Sequence, residues 1–149
     1  MSRFAAAVHL VTSDGPAGRR GVTATSVCSV SDSPATILVC LNTSSVANLK
    51  FEANGCFAVN LLSSRDEALS RAFAGEGDLS PEERFACGGF EPLATGAPVL
   101  ATALAAFDCR LVETRIVATH HVMIGEVAGL RLGDPGDALI YRDRGYLHL

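Results

Sequence analysis

Residues 21–31 read GVTATSVCSVS and lead, after Asp32-Ser33-Pro34, into TILVCL at 36–41. The first run holds five hydroxyl residues and neither a charge nor a large side chain. Val, Thr and Ile dominate both runs, which favours extended chain over helix. In a strand, Thr23, Thr25, Ser29 and Ser31 share one face, and Ala24, Ser26 and Cys28 share the other. TILVCL is a short continuous apolar run bounded by turn residues, as expected of a buried strand. Two adjacent strands, one small and hydroxyl-rich and the other greasy, point to a mainly β protein.

The rest of the chain agrees. Phe4 to Thr12 reads as a strand ended by Asp14-Gly15-Pro16, and Arg20 to Val30 as a second. Ser44 or Ser45 can cap a short helix whose Val46, Leu49, Phe51 and Ala53 lie roughly on one side, with Asn54-Gly55 as its stop. Cys56 to Leu62 returns to strand. Ser64-Arg65-Asp66-Glu67 has the spacing of a capping box opening a helix through Phe73. Ser80-Pro81-Glu82-Glu83 is a second such box, with Pro at the first helical position. Residues 87–98 read as a loop. Ala103 to Val117 and Val122 to Leu130 read as long strands, with Ala105, Phe107, Cys109 and Leu111 facing one way. Ala138–Tyr141 and Tyr146–Leu149 close the chain. Six to eight strands in runs, with two or three short helices, predict a twisted antiparallel barrel with small helices outside.

The 149 residues suit a single domain, 1–149, able to bury its own core. Twelve Lys and Arg against sixteen Asp and Glu give −4, which excludes a strongly basic nucleic-acid binder. With 48% apolar residues the chain is greasy for a small monomer, and a homodimer interface is the simplest cover. No run nears the roughly 20 apolar residues of a membrane helix, so no membrane partner is expected. The start, MSRFAAAVHLVTSDG, turns polar too soon for a signal peptide. Five cysteines with no Cys-x-x-Cys argue against a metal ribbon and for free thiols in a cytoplasmic protein.

Four segments can carry chemistry. The hydroxyl strand lets a flat ligand lie close to the backbone and receive hydroxyl and N–H hydrogen bonds, though it also fits a polar edge strand. Cys40-Leu41-Asn42-Thr43-Ser44-Ser45 runs from a strand into a helix start, where free N–H groups and hydroxyls suit a phosphate and Lys50 lies near enough to add charge. An ordinary Ser cap would look the same. Of the adjacent His120 and His121, strand geometry sends one to each face, so they make a poor metal pair and no metal site is expected. Either could face a site or be structural. Tyr141-Arg142-Asp143-Arg144 offers an aromatic beside cations, suited to a ring and a pyrophosphate or to a solvated tail. No G-x-S-x-G, Walker or G-x-G-x-x-G motif occurs.

In this order the segments resemble the short-chain flavin reductases that serve two-component flavin-dependent monooxygenases, such as the reductase component of 4-hydroxyphenylacetate 3-monooxygenase. GVTATSVCSVSDSP at 21–34 with ILVCLN at 37–42 carries most of the likeness. FAVNLL at 57–62, Ala72-Phe73-Ala74-Gly75, His120 to Val127 and LIYRDRGY at 139–146 follow. The resemblance implies a split β-barrel, the flavin reductase-like FMN-binding barrel, forming a homodimer with flavin at the interface. It places Thr25, Ser26 and Cys28 along the flavin ring and ribityl chain. Cys40, Leu41, Asn42, Ser45 and Lys50 fall toward the phosphate, and Phe73 and Ala74 wrap the flavin. His120 falls beside the reacting rings, as the one catalytic candidate, and Tyr141 and Arg144 near the nicotinamide nucleotide. The implied activity is NAD(P)H:flavin oxidoreduction, with FMN or FAD and NADH or NADPH, supplying reduced flavin to a monooxygenase. A non-enzymatic FMN-binding barrel and an oxidase acting on a pyridoxine-phosphate-like substrate are the alternatives.

Overall fold

The computed structural model describes residues 1–149. The chain is mainly β, as expected, but with twelve strands rather than six to eight. They are β1 (Ala6–Ala7), β2 (His9–Ser13), β3 (Arg20–Ala24), β4 (Val27–Asp32), β5 (Ala35–Asn42) and β6 (Cys56–Leu61). The remainder are β7 (Phe90–Pro92), β8 (Pro98–Leu100), β9 (Ala105–Val117), β10 (His120–Leu132), β11 (Leu139–Arg142) and β12 (Gly145–His148). Three short helices are α1 (Leu49–Asn54), α2 (Glu67–Phe73) and α3 (Pro81–Ala86). None is long and apolar enough to cross a membrane.

Seven strands form one antiparallel sheet in the order β3-β2-β6-β9-β10-β5-β4. Strands β3 and β4 therefore sit at opposite edges, yet only Thr25 and Ser26 separate them in the chain. Three peptide steps of about 3.8 Å reach no further than about 11 Å. The sheet must curl until its edges nearly meet. The expected single strand from Arg20 to Val30 is thus broken at Thr25-Ser26, and the backbone bridges the gap there: Cys40 N–H donates to Ser26 O at 2.9 Å.

The interior of the curl is filled by Val11, Val39, Leu41, Phe51, Phe57, Val59 and Met123. In β5, Ile37, Val39 and Leu41 alternate with less buried neighbours, as period 2 requires. Phe107 and Leu111 pack on the same cluster as Cys109. A Cβ on Gly125 would lie 2.5 Å from Phe57 Cζ and 2.9 Å from Cys109 Cβ. The glycine of the His120–Val127 motif therefore makes room for an aromatic core residue. A second cluster, with Val8, Leu10, Leu62, Phe73, Phe85, Leu100 and Leu139, lies between the sheet and α2 and α3.

Other expectations shift for local reasons. The strand expected from Phe4 to Thr12 divides at Val8, because β1 joins β11 and β12 while β2 joins the large sheet. Val8 N–H donates to Leu139 O at 2.9 Å, and Leu62 N–H donates to Val8 O at 3.0 Å, so this fully buried residue ties the two sheets together. The capping box of the first long helix starts one residue early: Asp66 Oδ2 accepts from Ser63 N at 3.0 Å and Ser63 Oγ at 2.7 Å. The Ser80–Glu83 box forms as read, with Ser80 N–H donating to Glu83 Oε2 at 2.7 Å. The segment 87–98, expected as loop, carries β7, which pairs with β8 and brings Pro92 opposite Pro98. The loop between these strands is stapled by buried Asp108, whose Oδ2 accepts from Ala94 N at 2.7 Å and Thr95 N at 2.8 Å. Of the expected apolar face around α1, Phe51 alone is buried, whereas Val46 and Leu49 stay in solvent.

His9, on β2, has a buried Nδ1 without a hydrogen-bond partner. Burial lowers its pKa to about 4 from 6.5. The unfolded chain then binds a proton that the folded one refuses, so stability is full above pH 6.5 and falls as pH drops toward 4. The loss approaches about 3 kcal/mol across that window. Urea unfolding at pH 7 and pH 4.5 should show this slope in the wild type and flatten it in His9→Gln. An equal slope in both would assign the acid sensitivity elsewhere.

Candidate active site

The edge strand β3, the end of β5 and the end of α2 surround a cleft of about 510 Å3. Each wall is held by hydrogen bonds that are long-range in sequence. Thr23 Oγ1 donates to Ser70 O at 2.7 Å and ties β3 to α2. The close approach behind that tie depends on Gly21, where a Cβ would sit 2.4 Å from Phe73 Cε1. Phe73, Phe85 and Phe90 then stack edge to face, with Phe73 and Phe85 centroids 5.1 Å apart. That trio fixes α2 and α3 against the sheet.

The far wall begins where β5 ends. Asn42 Oδ1 accepts from Ser44 N at 2.8 Å, turning the chain, and Asn42 O accepts from buried Asn48 Nδ2 at 2.9 Å. Ser45 stands at the start of the short 3-10 turn 46–48, and its hydroxyl makes no cap bond. Instead Ser45 Oγ accepts from Arg20 Nη2 at 3.2 Å. Arg20 also donates to Asn48 Oδ1 through Nε at 3.0 Å and Nη2 at 2.7 Å. Arg84, from α3, lines the same cleft and donates to Leu79 O at 3.0 Å. Neither guanidinium has a carboxylate partner. Burial, and then the like charge of Arg84, push the Arg20 pKa below its usual value. Two part-desolvated cations, one of them bonded to the Ser45 hydroxyl, make a place for an anion.

The cleft brings together Thr25, Ser26, Cys40, Leu41, Asn42, Ser45, Phe73, Ala74 and His120. Burial, then the Cys28 thiol, raise the Cys40 pKa, so Cys40 is a small neutral wall. His120 lies opposite Asn42 across β5 and β10, with Nδ1 2.9 Å from Thr119 Oγ1. His121 is buried in the sheet and does not reach the cleft. Tyr141 and Arg144 line an adjoining hollow of about 310 Å3, which shares Thr23, Ala24, Thr25 and Ala74 with the cleft. Two residues lie elsewhere. Cys28 is opposite Leu38 and lines a separate depression on β4. Lys50 lines a cleft with Arg19 and Phe85, its Nζ 3.5 Å from Arg19 O.

Arg20, Arg84 and Asn48 escape a reading of the sequence. Arg84 is distant in sequence and arrives through α3. Arg20 opens the hydroxyl strand, and a cation at the head of an otherwise neutral run was the one available signal.

The sequence pattern of the flavin reductase like domain matches residues 1–149. The chain belongs to the flavin reductase family. The FMN reductase (NADH) RutF of Ancylobacter novellus is 53% identical over 146 residues, covering 98% of this chain and 80% of that protein. The crystal structure of BorF, the flavin reductase component of a bacterial two-component tryptophan halogenase, superposes with TM-score 0.90 at 30% identity, over 99% of this chain and 92% of that one. The NADH:FAD oxidoreductase of Streptomyces globisporus, in complex with NAD and FAD fragments, gives TM-score 0.89 at 27% identity, over 99% and 87%. This flavin reductase is an oxidoreductase that uses a nicotinamide nucleotide and a flavin.

The contact between Gly21 and Phe73 sets the width of the reductase cleft. Gly21→Ala should cost about 1–3 kcal/mol of stability, as overpacking does, by displacing the Phe73 ring. Adding Phe73→Leu should recover stability in urea unfolding. No recovery would mean that the ring is not what the new methyl group meets.

Proposed function

We propose that this reductase is an NADH:FMN oxidoreductase with flavin in the cleft between β3, the end of β5 and α2. The observation that carries this reading is the pair of unpaired guanidiniums, Arg20 and Arg84, beside Ser45 at one end of that cleft. A phosphate ester fits this donor set, and a pocket of this size suits a flavin nucleotide. The FMN reductase (NADH) name of the 53% identical relative supports the choice of FMN and NADH.

In this reading the phosphate role expected of Lys50 passes to Arg20 and Arg84. Thr25 and Ser26 offer backbone and hydroxyl groups to the ring and ribityl chain, at the point where the strand leaves one sheet edge for the other. Phe73 and Ala74 form the opposite wall. The nicotinamide nucleotide takes the adjoining hollow, where Tyr141 and Tyr146 lie with ring centroids 5.1 Å apart and Arg144 has no carboxylate partner. Because the two hollows share Thr25 and Ala74, the two ligands meet there.

The bound nucleotides supply the redox chemistry, a hydride passing from nicotinamide to flavin. The chain holds the rings together, excludes water and stabilises charge. His120 sits where an imidazole can orient the carboxamide or balance charge developing on the reduced ring. No side-chain acid or base is obligatory, which accounts for the lack of a nucleophile–base pair.

The reading extends to the assembly. The curled sheet is a split β-barrel, and the protein is a homodimer. Support comes from the exposed aliphatic residues Val112, Ile116, Val117, Leu130 and Leu132 on β9 and β10, and from Val46 and Leu49 around the start of α1. The reduced flavin goes to a separate monooxygenase component; BorF, the reductase component of a two-component halogenase, supports the two-component arrangement. Five free thiols suit a cytoplasmic location.

Arg20→Ala should weaken FMN binding about 10–100-fold, the scale of lost charge-assisted hydrogen bonds, while riboflavin loses little. Lys50→Ala should change neither flavin by more than about twofold. Fluorescence titration with both flavins reads the difference, and equal losses for FMN and riboflavin on Arg20→Ala would sink the phosphate assignment. For His120→Ala, anaerobic stopped-flow reduction at saturating flavin should slow about 10–100-fold. His121→Ala should leave the rate near wild type. Slowing in His121→Ala alone would assign the role to the other histidine.

A further inference from the structure

The hollow at Tyr141 and Tyr146 contains a charge arrangement that nucleotide binding alone does not require. Arg71 and Glu76 line it together with Arg144. Arg71 is paired with two carboxylates. Its Nε and Nη2 donate to Glu67 Oε1 at 3.0 and 2.7 Å, and its Nη1 donates to Glu76 Oε1 at 3.2 Å. Its Cζ lies 4.7 Å from the centroid of the Tyr146 ring, and Tyr146 Oη is 2.9 Å from Ser70 Oγ. Glu67 is held in turn by His148 Nε2 at 2.9 Å.

Glu76 is placed by its backbone as well as by its side chain. It follows Gly75 and precedes Gly77, whose φ values of 97° and 84° belong to the left-handed region. Its N–H donates to Arg71 O at 3.0 Å, closing the end of α2. The residue whose guanidinium it neutralises is thus the one to which its own backbone is tied.

Within the hollow the formal charges are Arg71 and Arg144 against Glu76, with Glu67 directly behind Arg71. One cation, Arg144, is left without a carboxylate partner. That serves a pyrophosphate, which both nicotinamide nucleotides carry. A further phosphate monoester adds about −1.5 to −2 charge at neutral pH. It would meet a carboxylate and a guanidinium already committed elsewhere.

We propose that Glu76 is the specificity-determining residue for the nicotinamide nucleotide, selecting NADH by neutralising Arg71 and repelling the ribose phosphate of NADPH. This rests on the reading that the hollow takes the nicotinamide nucleotide. Selection here works by an unfavourable contact with the wrong substrate. Glu76 acts on binding and leaves the reacting rings untouched.

The test is steady-state kinetics with NADH and with NADPH at saturating FMN, on the wild type, Glu76→Gln and Arg144→Ala. The wild type should prefer NADH. Glu76→Gln should raise the NADPH-to-NADH ratio of kcat/KM about five- to tenfold, through KM rather than kcat, and the gain should shrink as salt screens the exposed charges. Arg144→Ala should raise KM for both nucleotides. An unchanged ratio in Glu76→Gln beside raised KM values in Arg144→Ala would overturn the selection role and leave the hollow as the nucleotide site. Unchanged KM values in Arg144→Ala would overturn the placement of the nucleotide, and the role of Glu76 with it. A wild type that prefers NADPH would also overturn the proposal.

Discussion

The shortest connection in the large sheet governs the rest of the molecule. Thr25 and Ser26 join strands at opposite edges of seven, so the sheet has no freedom to stay open. Curling encloses one apolar cluster and leaves the outer side of β3 to be covered by α2 and α3. The same link lies between two strand ends, where Cys40 N–H to Ser26 O continues the pairing with β5 past the end of β4. The cleft edge at Thr25 and Ser26 is therefore a by-product of closing the sheet. Small residues are needed there because any large side chain would fill the gap that the curl creates.

The walls of the cleft come from elements far apart in sequence, and each is anchored behind the site as well as at it. Asn48 is the clearest case: buried, it bonds back to the end of β5 and forward to Arg20. The guanidinium is thus aimed before any anion arrives, which limits the ordering cost of binding. On the other wall, Thr23 and the aromatic trio set α2 by hydrogen bonding and by packing.

Much of this was legible in the residues. The apolar run TILVCL, bounded by turn residues, and the Ser80–Glu83 spacing report local backbone, and local backbone is what short sequence patterns encode. The break at Thr25-Ser26 was not legible, because hydroxyl and β-branched residues run through it without a change of pattern. Its cause lies in which strands pair, a long-range property. Val46 and Leu49 lie outside for a similar reason: of this segment's apolar residues only Phe51 meets the core, and which side of a short helix faces the sheet is set by the fold. Lys50 was near the right strand end but leans toward Arg19, while Arg20 and Arg84 converge from elements that only the folded chain brings together.

Gly125 in β10 lends its missing side-chain volume to Phe57 in β6, with Cys109 of β9 completing the contact. Three neighbouring strands thus share one fixed volume. A lineage that gains a methyl group at 125 must shed atoms at 57 or 109, so these positions should drift as a set. Covariation among them would then record the curvature of the sheet, even in relatives whose cleft residues have changed with their ligands.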